Sequence, residues 1–330
     1  MTMKADDRPR WPWRCPDCGA ALEEGDGGTF LPCPLPCTGC GRPFTREEGL
    51  ADLRPAAAKA RLQRFADEYA AVRRAEGRDA IAVADLRALP WPGPQTPLAW
   101  EWLIRAKSYE TFLDHALRPR LAGGAALRAL DLGAGVGWLS HRLAWEGCHA
   151  LALDVCADRH VGLGAARQLV DLQGRVADDD PATGSVTLAL ADFNHLPLAD
   201  SSVDLVVFNA ALHYSPSLSP SLAEAARVLA PQGLVVVLDS PFYEDAAAGR
   251  AMAAERRAGF MKRFGFASDA LGSVDYLTRG DLAQAGLAAG LRWRYLIPHH
   301  GWRWTLRRAW RRRRLGRESA AFPVALAERL

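Results

Sequence analysis

A run of apolar residues that ends on an acid and breaks into alternating glycines constrains this chain more than any other stretch. Residues Leu127 to Leu139 read LRALDLGAGVGWL, with Asp131 at the end of the apolar run and glycines at 133, 135 and 137. The pattern predicts a strand, a tight turn and the start of a helix. Gly133 and Gly135 allow positive φ and let a ligand lie against the main chain, while the helix N-terminus behind them leaves N–H groups free. Such a cradle suits a flat, polar ligand. A dinucleotide fingerprint GxGxxG would need its third glycine at position 138, where this chain has Trp138, and the acid Asp131 at the strand end is a second departure from NAD binding.

The stretch from Asp131 to Gly137 resembles the first motif of the class I S-adenosylmethionine (SAM)-dependent methyltransferases, an acid, any residue, then GxGxG. The resemblance implies that Asp131, Gly133, Ala134, Gly135 and Gly137 form the cofactor loop. Downstream spacing extends it. A second strand, HALALD, ends on Asp154, where a carboxylate can accept both ribose hydroxyls and where the family uses one, with Val155 beside it. An ionised carboxylate at the end of a buried strand needs partners. The third strand, VTLALADF, ends on Asp192 and Phe193, matching the family's acid for the adenine amino group and its apolar cover for the ring. A Pro-containing turn and a fourth strand ending at Asn209 follow.

Next come a helix (Leu218 to Leu229), the turn Ala230-Pro231-Gln232-Gly233 in place of the family's RVLxPGG, and a fifth strand, GLVVVLDS. After an insertion over 241–276, LTRGDLAQAGLAAG predicts a helix, and LRWRYLI and WRWTLR predict the last two strands, the final one antiparallel. Alternating strands and helices imply a parallel sheet with crossover helices. Over about residues 98 to 306 the chain most resembles the ubiquinone-biosynthesis-type methyltransferases, so the expected fold class is α/β, a Rossmann-like seven-stranded sheet.

Ahead of this lies a different signal. CPDC (Cys15, Cys18) and CTGC (Cys37, Cys40) are each followed by glycine. Two CxxC knuckles place four thiolates tetrahedrally around one ion, and in a chain without a secretion signal this favours a structural Zn2+ over disulfides. Cys33 is left out because only Cys37 and Cys40 form a CxxC followed by glycine. The segment looks like the short zinc ribbons ahead of several bacterial methyltransferases; both a purely structural role and contact with substrate stay open.

The expected domains are a zinc ribbon over 1–54, a helical segment and Pro-rich linker over 55–97, and the methyltransferase domain with a basic tail over 98–330. Leu62, Phe65, Tyr69 and Val72 recur at helical spacing, predicting an amphipathic helix that leans on the catalytic domain. A second helix, WEWLIRAKSYETFLDHAL, precedes the first motif; in many of these enzymes that helix folds over the cofactor, which implies that Trp102, Arg105 and Tyr109 reach the methionine end of SAM. With 49% apolar content and a net charge of +3, the 330 residues can bury a large core, and charge decides little about partners. No apolar run approaches the roughly 20 residues of a membrane span, and MTMKADDRPRWPW lacks a signal peptide's apolar core, so we expect a cytoplasmic location. The tail from Trp302 to Arg317 interleaves three tryptophans with eight arginines, which suits RNA or an anionic membrane surface. Oligomeric state is not legible.

Three function classes follow: a methyltransferase, a dehydrogenase disfavoured by Trp138, and a ligand-binding module without chemistry. N-methylation of exocyclic base amines uses [DN]PPY after the fourth strand, whereas Asn209 is followed by Ala210-Ala211-Leu212. Carbon-5 pyrimidine methylation needs a cysteine beside proline, and neither Cys148 nor Cys156 is so placed. The expected reaction is O-, ring N- or activated-carbon methylation of a small-molecule or lipid-linked metabolite. A ribosomal RNA base is the alternative, by resemblance to rRNA guanine methyltransferases that also carry an N-terminal zinc module. His213, just after the fourth strand, is the candidate base, with an expected pKa near its ordinary value.

Overall fold

The computed structural model describes residues 10–22, 35–94, 96, 98–176 and 184–330; Cys33 lies outside them. Four short strands open the described chain: β1 (Leu35–Pro36), β2 (Pro43–Phe44), β3 (Arg46–Glu47) and β4 (Leu50–Asp52). Helices α1 (Lys59–Ala75), α2 (Val83–Ala88) and α3 (Ala99–Phe112) follow, and α3 runs on through residues 113–117 into α4 (Arg118–Leu121). The alternating part then runs β5 (Arg128–Leu132), α5 (Trp138–Trp145), β6 (His149–Asp154), α6 (Leu163–Val176), β7 (Ser185–Leu190), β8 (Val203–Asn209), α7 (Leu218–Val228) and β9 (Leu229–Leu238). It closes with α8 (Ala246–Phe264), α9 (Arg279–Ala288), β10 (Leu291–Leu296), α10 (Trp302–Leu315) and β11 (Val324–Arg329).

One sheet organises everything, in the order β10-β11-β9-β8-β5-β6-β7-β4-β3. Strands β5 to β9 pair in parallel, and β11 inserts antiparallel between β9 and β10. These make seven strands, the expected number. Two more come from the N-terminal module: β4 pairs in parallel with β7, Ala51 opposite Ala189, and β3 pairs with β4. The period-2 alternation of the central strands splits the core in two. Leu130, Leu132, Val206, Phe208, Val235 and Val237 face the side that also buries Trp11 and Trp13, while Ala129, Leu205, Val207 and Val236 face the side of Tyr109, Trp138 and Leu139. The separation expected at residue 54 is therefore not a boundary between two cores.

The C-terminal end departs from expectation in one element. WRWTLR begins the helix α10, and the last strand is β11, further along the chain. Residues 302–314 hold seven arginines without a β-branched residue other than Thr305, a composition that favours helix. VALAER alternates its side chains between the two cores, Val324 and Leu326 on one face and Ala325 and Ala327 on the other, and fills the strand position.

Candidate functional site

The first strand, β5, sits between β8 and β6, so the connections leave it in opposite directions and open a crevice at the carboxyl ends of these strands. Gly133 and Gly135 turn at φ 69° and 55°. A Cβ on Gly133 would stand 2.5 Å from that of Ala211, so only glycine lets this loop lie against the segment after β8. Gly137 caps α5 and packs on Ala166. The amides of Gly133 and Ala134 donate to the Leu153 carbonyl at 2.8 and 3.1 Å, tying the loop to the end of β6.

Two joined hollows share Gly133 and Ala210. One is walled by Asp154, Val155, Asp192 and Phe193, with Leu62, Phe65 and Tyr69 of α1 and Tyr214 opposite. The other is walled by Gly133 to Val136, Trp138 and Asn209, with Trp102 and Arg105 of α3 and Arg73 and Arg78. Asp154 accepts from Gly135 N–H at 2.8 Å and Cys156 N–H at 2.9 Å, which leaves it further lone pairs. Burial pushes its pKa up. Asp192 accepts from Asn194 through both the backbone N–H and Nδ2, each at 2.9 Å, and Phe193 meets Phe208 edge to face. Asn209 keeps an unpartnered buried Oδ1 on the wall of the second hollow. The chain thus gathers Gly133, Ala134, Gly135, Asp154, Val155, Asp192, Phe193 and Asn209 around one crevice.

Asp131 lies behind the loop. It is fully buried, accepts from Ser140 Oγ at 2.6 Å and leaves Oδ1 unpartnered. Burial, aided by the nearby Asp154 charge, raises its pKa to about 7.

Two expected residues stand elsewhere. Tyr109 is enclosed among Trp91, Phe112 and Trp138, its hydroxyl unpartnered among the described residues, and is absent from both walls: it lies on the same face of α3 as Trp102 but two turns further along, where that face meets the core and not the crevice. His213 is also buried outside the walls, its ring stacked on Tyr214 and its Nδ1 3.2 Å from Ser240 Oγ. Burial, with Arg256, Arg73 and Arg105 nearby, pushes its pKa down to about 3, against the near-ordinary value expected for a base. An imidazole so placed is neutral at pH 7 but too weak to keep an abstracted proton.

Several wall residues escaped the sequence reading. The periodicity of Leu62, Phe65 and Tyr69 was legible only as packing, because a helix face that covers a ligand has the same pattern as one that covers a core. Arg73 pairs with Glu76, donates to the Tyr214 hydroxyl at 3.1 Å and lies over the Tyr69 ring; Arg78 bridges Glu76 and Glu101. Arg105, expected from the sequence to reach the cofactor along with Trp102, stacks on Trp102 and makes no ion pair among the described residues.

In the N-terminal module the four thiol sulfurs of Cys15, Cys18, Cys37 and Cys40 lie within 4.8 Å of one another. Tetrahedral Zn–S bonds of about 2.3 Å imply S···S separations of roughly 3.8 Å; the Cys15–Cys40 and Cys18–Cys37 pairs are at 3.8 and 3.5 Å. Gly39 N–H points at Cys37 Sγ at 3.4 Å, a hydrogen bond that a thiolate ligand accepts. Donor chemistry and spacing fit a zinc ion.

Residues 130–237 match the family model described as a methyltransferase domain. That stretch is a methyltransferase domain by this match. The chain is 40% identical over 107 residues to a malonyl-[acyl-carrier protein] O-methyltransferase of Geobacter sulfurreducens, covering 32% of this chain and 36% of that protein. It is 31% identical over 122 residues to an arsenite methyltransferase of Halobacterium salinarum, covering 35% and 29%. The chain thus spans little more than a third of the curated relatives it matches. Among solved structures, a geranyl diphosphate methyltransferase in complex with SAM aligns with a TM-score of 0.48 at 17% identity, over 75% of this chain and 94% of that one. The geranyl diphosphate C-methyltransferase of Streptomyces coelicolor A3(2) aligns with a TM-score of 0.45 at 15% identity, over 72% and 88%. No helix among the described residues is long and apolar enough to cross a membrane.

Proposed function

We propose that this protein transfers a methyl group from SAM to an oxygen of a small or carrier-linked carboxylic acid. SAM, when bound, supplies a methyl group on a sulfonium for in-line displacement. The chain's own residues then hold and orient. Asp154 accepts from the ribose hydroxyls; Asp192 and Phe193 take the adenine amino group and ring; the Gly133–Gly135 amide loop lies under the rest; Arg105, unpaired in the second hollow, takes the methionine carboxylate. Asn209 offers its free Oδ1 to the ammonium or to the acceptor.

The observation that carries the choice of acceptor is the burial of His213 outside both walls of the crevice, away from where an acceptor would lose a proton. A phenol or alcohol must lose a proton, and a histidine buried outside both walls, its pKa lowered by that burial, is not placed to take it. A carboxylate has no proton to lose at neutral pH, so positioning alone suffices. A relative named for O-methylation of a malonyl group on a carrier protein supports the same class. Four thiolates with zinc spacing support a structural zinc ion in the N-terminal module.

The test combines calorimetry with SAM and S-adenosylhomocysteine and radiolabelled methyl transfer to free and carrier-linked dicarboxylic acids. The expected product is a methyl ester, which releases labelled methanol in mild base. No binding of either compound would remove the reading altogether, while base-stable label would exclude the carboxylate acceptor only.

A further inference from the structure

Helix α10 has no buried residue and carries seven arginines. Trp302, Leu306 and Trp310 recur every fourth residue, so they form one stripe along the helix, and they are 68%, 60% and 58% exposed. The opposite side is the docked one: Trp304 packs on His300 and Phe322, and Arg308 donates to the Ser319 carbonyl at 3.0 Å. Arg303, Arg307 and Arg311 to Arg314 are exposed, and none of them forms an ion pair among the described residues. Arg303 lies over Trp302 and Arg314 over Trp310, so the cations flank the stripe.

This face has a position as well as a composition. Arg307 lies over Trp100 of α3, the helix whose Trp102 and Arg105 wall the crevice, and Leu103 of the same helix is 53% exposed. An apolar stripe flanked by unpaired cations on a helix that is not itself apolar is the pattern of a helix lying in a membrane interface. We propose that α10 docks the protein on a bilayer surface containing anionic phospholipid, with Trp302, Leu306 and Trp310 entering the headgroup boundary and the arginines meeting lipid phosphates. Leu306, central in the stripe, separates this from an RNA surface: an aliphatic side chain gains by burial among acyl chains and offers nothing for a base to stack on. Docking here would set the α3 side of the crevice at the bilayer, independently of which atom is methylated.

The experiment is co-sedimentation of the full chain with phosphatidylcholine vesicles, with and without phosphatidylglycerol. Binding should require the anionic lipid and weaken as salt rises. Trp302→Ala, Leu306→Ala and Trp310→Ala together should lose at least about tenfold in affinity with an unchanged melting temperature, as expected of exposed positions. Each of Arg311→Gln to Arg314→Gln should cost up to about fivefold, and Leu306→Asp alone should weaken binding without touching an arginine. No binding to phosphatidylglycerol vesicles, equal binding to phosphatidylcholine alone, or full binding by Leu306→Asp and the triple variant would overturn the proposal. So would a single-stranded RNA that binds through Trp302 and Trp310 while vesicles do not.

Discussion

Arg54, with none of its side chain exposed, donates from Nη1 to the carbonyl of Val155 at 3.1 Å, one residue beyond the carboxylate at the end of β6. Its Nε and Nη2 reach Asp52 at 2.8 and 2.9 Å, Nη1 also reaches Gln63 at 2.9 Å, and Nη2 pairs with Glu47. Its own carbonyl accepts from Arg42 Nη2 at 2.7 Å, two residues past Cys40. A single buried residue, through its side chain and its carbonyl, therefore joins the cysteine module to the crevice wall. Removing one partner of such a buried network strands the other charge, so Arg54→Met should destabilise the fold by about 3 to 5 kcal/mol, less whatever Lys59 still returns to Asp52 at 2.7 Å. Urea denaturation measures the loss. SAM affinity, titrated under conditions where the variant stays folded, should fall as well; unchanged affinity would confine Arg54 to a structural role.

Asp154→Ala should weaken SAM binding by about 1 to 3 kcal/mol through loss of charge-assisted hydrogen bonds to the ribose. Isothermal calorimetry of SAM and S-adenosylhomocysteine decides it. The loop also loses the bond from Gly135 N–H, so a control at Asp192, which does not touch the loop, separates the ligand's share from the loop's.

Metal analysis of protein purified without chelator should find one zinc per chain. Cys37→Ser should lower occupancy below about half and reduce the melting temperature, since the metal's binding energy is also folding energy. Full occupancy in that variant would exclude Cys37 as a ligand.

Asp131 links stability to pH. Its folded pKa of about 7 stands above the ordinary carboxylate value, so the folded state holds a proton that the unfolded chain has released. The stabilising proton is fully present below about pH 4 and its contribution is lost as pH rises through about 7, a change on the order of a few kcal/mol. Asp131→Asn, which keeps a group for Ser140 to bond, should flatten that decline. Melting temperatures of both proteins between pH 5 and 8 should diverge upward in the variant's favour; parallel curves would exclude the effect.

His213→Gln should leave SAM affinity unchanged and reduce the maximal rate less than about threefold, where removal of a general base costs 10²-fold or more. The wild-type rate should show no inflection near the ordinary histidine pKa, given the depressed value here. A bell or step at that pH, abolished by the substitution, would restore His213 as the base.

The crevice was legible because strand ends with acids are read directly from an alternating chain: Asp131, Asp154 and Asp192 each close a run of apolar residues. Asp239 closes β9 in the same way, buried near Arg105 with both oxygens unpartnered, and could have been found by that rule. Other features resist such reading. Tyr109 and Arg105 share a helix four residues apart, and which of them faces ligand depends on where Trp138 packs, a long-range matter. The depressed pKa of His213 comes from its burial and from arginines at 256, 73 and 105, all set by parts of the chain remote in sequence. Helix α10 was misread as a strand because alternation of tryptophan and arginine over a few residues fits both periods.

The pairing of β4 along β7 has a consequence for the handling of this protein. Without Ala51 and Asp52 alongside, β7 would become a bare rim whose main-chain donors and acceptors invite another chain. A fragment starting at residue 98 should therefore clump rather than stay monomeric. Expression of the catalytic part therefore calls for the cysteine segment beside it, or for a charged or proline-bearing β7 in its place.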